Sequence, residues 1–177
     1  MKQLFILICI FSSFNLFSQN QFYIKSGVGL SSITNNMNSL SVLGGNFDVE
    51  LTYDFKKPIA LGLNSTTGYG FNLSNQYENT FYQQANLNLY FRIFDNRVIV
   101  GGGISALHLW NRTGIDFDIN NNPTNYLTTS DLLFGINFTV NYKVGSIGKY
   151  NVHLRAFRNA YFPGNITGIG VLLGKEL

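Results

Sequence analysis

Charge is scarce in this chain of 177 residues, where Asp, Glu, Lys and Arg together make up only 12%. That is about half the share of an ordinary soluble domain. Such a shortage argues against a fully water-facing exterior. The single cysteine, Cys9, lies in the N-terminal apolar run, so the remainder of the chain has no disulfide or thiol chemistry. Proline occurs only three times, which leaves long stretches free to extend without a break. After the N-terminal run no segment approaches the roughly 20 apolar residues of a transmembrane helix. The net charge of +3, without any basic run, excludes a nucleic-acid partner.

What is present is polar without being charged. Gly, Asn, Ser and Thr are plentiful and aromatics reach 15%. The stretch MKQLFILICIFSSFNLFS (1–18) has a positive start at Lys2, an apolar run over 4–11 and a small residue, Ser18, before Gln19. It reads as a secretory signal, leaving 19–177 as one domain.

From Phe22 onward apolar and polar residues alternate with the period of two that marks strands. The pattern predicts strands over 21–30, 41–53, 59–73, 81–94, 98–110, 126–143, 149–162 and 166–173. In FYQQANLNLYFRIF (81–94), Leu87, Leu89, Phe91 and Ile93 share a face opposite Asn86, Asn88, Tyr90 and Arg92. In VIVGGGISALHLW (98–110) both faces are apolar, and its three glycines suggest a bulge. Long connections at 31–40, 74–80 and 111–125 alternate with short ones such as DFKKP and DNR, as in a barrel with one elaborate rim. Aromatics fall near both sets of strand ends. Phe22, Tyr53, Phe55, Phe91, Phe94, Tyr142 and Tyr150 are placed near the short turns, and Tyr69, Phe71, Phe81, Tyr82, Trp110, Tyr126, Tyr161 and Phe162 near the long loops. Two such belts suit the two interfaces of a membrane. The polar face then encloses a narrow lumen, in which glycines make room for tyrosines and each charge needs a partner.

Signal, alternation in stretches such as LLFGINFTVNY (132–142), and turn rhythm together resemble the small bacterial outer-membrane β-barrel family of the eight-stranded OmpA- and OmpX-like type. The resemblance covers 21–177. It implies an all-β, eight-stranded antiparallel up-and-down transmembrane barrel in the cell outer membrane, with both termini in the periplasm. It also implies membrane lipids and the outer-membrane assembly machinery as partners. Many such proteins end on an aromatic residue; this chain ends GKEL, with Leu177 in phase with Leu173.

Lys25, Asp48, Glu50, Arg92, His153 and Arg155 all fall on the polar face and form the candidate lumen charge network, structural or gating in role. No catalytic, cofactor or metal site is assigned. His108 lies near the long-loop rim, but Ser105, three residues earlier on a strand, faces the other side. DFDIN (116–120) begins like a calcium loop but lacks the glycine and glutamate such a loop places at Asn121 and Leu127. The expected role is non-enzymatic: structural, or surface contact through 31–40, 74–80 and 111–125, in adhesion or envelope integrity. A small channel, a lipid-modifying enzyme and a soluble lipocalin-like carrier are the alternatives.

Overall fold

The computed structural model describes residues 22–35, 40–56, 58–72, 78–94, 97–120 and 122–176. The expected signal at 1–18, the loop residues 36–39 and 74–77, and Leu177 lie outside the described residues. The strands are β1 (Phe22–Asn35), β2 (Leu40–Lys56), β3 (Ile59–Asn72), β4 (Glu78–Ile93), β5 (Val98–Phe117), β6 (Pro123–Ile147), β7 (Tyr150–Tyr161) and β8 (Gly164–Glu176). Each pairs antiparallel with its neighbour in sequence, and β1 closes on β8 from Tyr23↔Glu176 to Asn35↔Gly164. The result is the eight-stranded up-and-down barrel that the alternation predicts. Closure pairs the backbone groups of every strand over the barrel wall, which is what lets a sheet stand in hydrocarbon.

Burial is inverted relative to a soluble protein. Val28, Ile104 and Ile136 point outward and are 64%, 66% and 67% exposed, while Asn64, Thr66, Gln84 and Asn88 are fully buried. The alternation of β3, strictly exposed then buried from Ile59 to Asn72 apart from the half-buried Thr67, is the local expression of this rule. Soluble monomers rarely expose a contiguous apolar patch larger than about 600 Å², whereas here apolar side chains encircle the barrel. A soluble carrier reading needs Leu87, Leu89 and Phe91 inside; all three point out.

Inside, rings lie over glycines of neighbouring strands. A Cβ placed on Gly62 would come within 2.2 Å of the Tyr90 ring, and one on Gly101 within 2.3 Å of its other edge. Gly68 stands in the same relation to Tyr82. At the turn between β6 and β7, Gly148 takes φ +58°, a backbone state that glycine adopts without a steric penalty.

The β5 glycines form no bulge: pairing with β4 and β6 runs unbroken through Gly101, Gly102 and Gly103. Gly101 and Gly103 serve close approach instead, to the Tyr90 ring and to the Leu87 backbone, and the irregularities lie between Gly114 and Phe117. The connection expected at 111–125 is largely strand, β1 and β2 likewise run into the one expected at 31–40 and β4 into that at 74–80, because polar residues beyond the apolar girdle can pair their backbones without any apolar alternation to advertise it. Finally, Tyr82 and Tyr161 are not belt residues but are buried in the lumen. The belts that form include Phe22–Tyr53 and Tyr53–Phe55 at one end, with ring centroids 4.9 and 5.1 Å apart, and Phe81–Trp110 at the other, 5.1 Å apart.

Candidate functional site

The six predicted lumen residues all point inward. Lys25 and Glu50 face each other across the β1–β2 ladder and form an ion pair with almost no exposure. Glu50 also accepts from the Thr52 hydroxyl at 3.0 Å and from Tyr90 OH at 2.8 Å. Tyr90 in turn accepts from Asn88 Nδ2 at 3.2 Å. Arg155, from β7, reaches across the lumen to Asp48 on β2, Nη1 to Oδ1, at 3.3 Å. Its Nε donates to Thr139 at 3.3 Å, and the Thr66 hydroxyl donates to Asp48. Arg155–Asp48 therefore braces the barrel across the lumen, while Lys25–Glu50 ties neighbouring strands two residues further along β2. Each of these four charges has a countercharge, and Glu50, Asp48 and Arg155 have neutral hydrogen-bond partners as well, the condition under which burial of a charge is tolerated.

Arg92 and His153 do not join these pairs. Arg92 lies nearer the rim that carries the chain ends and pairs with Asp54, a residue the sequence reading passed over. Asp54 was legible: it shares the inward parity of Thr52 and Glu50. Among the described residues His153 makes no ion pair; its ring lines a small cavity with Lys25, Arg92 and Lys143. Arg158 is an exposed charge on the outer wall of β7, an exception to that wall's apolar character.

Towards the opposite rim the lumen changes chemistry. Ile33, Val42, Leu107, Leu109, Phe157 and Ile166 pack there with Tyr82 and Tyr161. This explains why β5 reads as apolar on both faces: Leu107 and Leu109 line the upper lumen while Ile104 faces out. Tyr82 OH donates to Ser31 at 2.8 Å, and Tyr161 bonds Ser105. Above them opens a cavity of about 500 Å³, edged by Glu78 and Asp131. The lumen is thus floored by ion pairs and capped by an apolar layer.

At that rim His108 faces outward, stacked on Trp110 with ring centroids 3.7 Å apart, and its Nε2 lies 2.7 Å from Ser130 Oγ. No acidic side chain bonds to the pair among the described residues, and the neighbouring backbone N–H groups belong to the sheet ladder. Ser105 points into the lumen, as its parity requires. The β5–β6 hairpin rises past its neighbours: β4 pairs β5 only up to Glu78↔Thr113, and β7 pairs β6 only from Gly135↔Tyr161. At its tip Asp118 accepts backbone N–H bonds from Asn120 and Asn122 at 2.9 and 2.7 Å. The Asn122 bond above all holds this carboxyl below the usual aspartate range. These oxygens cap a turn.

No protein-family model matches the chain, and no curated protein matches it by sequence. Solved structures do resemble it. The structure of Ail, the attachment invasion locus protein of Yersinia pestis, superposes with a TM-score of 0.59 at 11% identity, covering 89% of this chain and 99% of that one. Neisserial surface protein A gives a TM-score of 0.56 at 8% identity, over 88% of this chain and 97% of that one. The outer membrane protein OprG of Pseudomonas aeruginosa gives 0.50 at 10% identity, over 89% and 97%. At such identities the likeness speaks to the fold. This chain has the architecture of the small eight-stranded outer-membrane barrels.

Proposed function

We propose that this chain is a non-enzymatic integral protein of the bacterial outer membrane, a plugged barrel that holds surface-contact elements in place, with both termini on the periplasmic side. The observation that carries the reading is the inverted burial: apolar side chains encircle the outside while paired charges fill the inside. Lipid surrounds the girdle, and the outer-membrane assembly machinery is the partner expected to insert it. The lumen pairs are structural, locking the wall, and are not a gate.

The contact element is the β5–β6 hairpin together with the rim segments 31–40 and 74–80, of which 36–39 and 74–77 lie outside the described residues. Among the described residues, 123–134 has no strand partner on its outer edge, and an open edge is a template for another chain. Ail has been solved with the heparin analogue sucrose octasulfate. A polyanion suits this chain poorly. Towards the hairpin rim Glu78, Asp116, Asp118 and Asp131 outnumber Arg112 and Arg158. A neutral or basic protein segment in adhesion fits better.

The test is mobility on a gel before and after boiling, taken on protein from purified outer membranes. A heat-dependent shift is expected, with lipid-phase photolabelling at position 89 and none at 88. Fractionation of the mature protein as soluble without detergent would overturn the reading. A lipid-modifying enzyme is the second reading, favoured by the His108–Ser130 contact. It requires phospholipid or lipopolysaccharide acyl chains to be released by wild type and spared by His108→Ala.

A further inference from the structure

The mouth at the rim carrying the chain ends is unlike the rest of the lumen. Its cavity, about 130 Å³, has Lys25, Arg92, Lys143, His153, Tyr23 and Asn151 as its polar lining beside Ile99, with no carboxylate in the wall. These side chains come from β1, β4, β6 and β7 and so converge from several sides. They are also held in place. Glu50 fixes Lys25 and Asp54 fixes Arg92. Arg92 lies 5.5 Å from the Tyr23 ring centroid, and Tyr23 donates to Glu176 at 2.9 Å. Lys25 and His153 both lie against Gly174, whose missing Cβ would stand 3.0 Å from the lysine stem and 3.6 Å from the imidazole Nε2.

Donor capacity is left over. Lys143 has no acidic partner among the described residues. His153 is 4% exposed, and neither its Nδ1 nor Arg92 Nε has a hydrogen-bond partner among the described residues. An ammonium carries three donors and a guanidinium five, so one ion pair does not exhaust either. The volume is many times the roughly 10–15 Å³ that one water needs. We propose that this mouth binds a tetrahedral oxyanion of the phosphate type. Donors approaching from four strands suit several acceptor oxygens better than the two of a planar carboxylate, and bonds from cations to such oxygens are the strong ones. The oxyanion is either free phosphate or the phosphate of a lipid headgroup.

The experiment uses the folded barrel in phosphate-free detergent micelles, titrated with inorganic phosphate and followed by NMR of the His153 ring and by calorimetry. Saturable binding at millimolar phosphate is expected. Lys143→Gln, at the rim, is expected to weaken it about tenfold, the worth of one charge-assisted bond, with the heat-dependent gel shift retained. His153→Gln checks the second wall. Native mass spectrometry of barrel taken from membranes separates the sources. A retained phospholipid displaced by phosphate assigns the site to a headgroup; phosphate binding with no retained lipid assigns it to the free ion. Absence of both, or binding unchanged in Lys143→Gln and His153→Gln, would overturn the proposal.

Discussion

At the residue scale the lumen is governed by parity and by pairing. Parity placed Lys25, Asp48, Glu50, Arg92, His153 and Arg155 inward, because one step along a strand exchanges faces. It did not reveal which charge meets which. Asp48 and Arg155 are 107 residues apart, and only closure brings them together. Tyr82 was legible as a lumen residue from its phase with Asn86 and Asn88, but its nearness to a rim suggested a belt. Lys25→Met leaves Glu50 buried without its countercharge, at a cost of about 3–5 kcal/mol. A lowered urea midpoint for unfolding in lipid vesicles is the readout; a change under about 1 kcal/mol would mean that Tyr90 and Thr52 suffice. Packing gives a second prediction. Gly101→Ala drives a methyl into the Tyr90 ring and is expected to cost about 1–3 kcal/mol. Gly102→Ala, one residue on, faces outward with its nearest neighbour at 3.6 Å and is expected to be tolerated. The same midpoint measurement compares the two.

At the element scale the strands were legible where the apolar girdle imposes alternation and illegible beyond it. β3 matched its expected extent closely, since every outward residue from Ile59 to Leu63 and from Tyr69 to Phe71 is apolar. β5 and β6 run on through NRTGIDF and PTNYLTT, where Asn, Thr and Asp conceal the period. Backbone pairing defines that hairpin, helped by Asn125 donating to Asp116 at 2.7 Å and by Arg112 over the Tyr126 ring, and Asp118 holds its tip. A carboxyl depressed in the folded turn stabilises it above the unfolded aspartate pKa. That support disappears as pH falls through the lower, folded value. Amide exchange at Asn120 and Asn122 is therefore expected to be protected at neutral pH and to lose protection in acid. In Asp118→Ala it is expected to be fast throughout, after correction for intrinsic rates. Equal protection in that variant would show that the β-turn holds itself.

At the scale of the whole molecule the chain is a stack of layers: a cation-lined mouth, a belt of ion pairs, an apolar cap and an acidic rim. The fold was legible because low charge, alternation and turn rhythm all follow from the same demand, a wall apolar outside with paired polar groups inside. The layering was not, because it depends on which strand heights align after closure. It decides whether ions cross. Arg155 and Asp48 span the lumen, with Tyr90 bonded to Glu50 beside them, and Tyr82 and Tyr161 close the apolar layer toward the acidic rim. An ion entering from either end meets a desolvated layer that it cannot hydrate through. The folded wild type is therefore expected to be silent in planar bilayers. Truncating the bracing and the cap together, as Arg155→Ser with Asp48→Ser and Tyr82→Ala, removes two charges of opposite sign and one ring without leaving an unpaired ion. Discrete conductance steps are expected from that variant once its heat-dependent gel shift shows it folded. Steps of equal size from wild type would mean that the pairs open on their own, and that the lumen residues act as a gate.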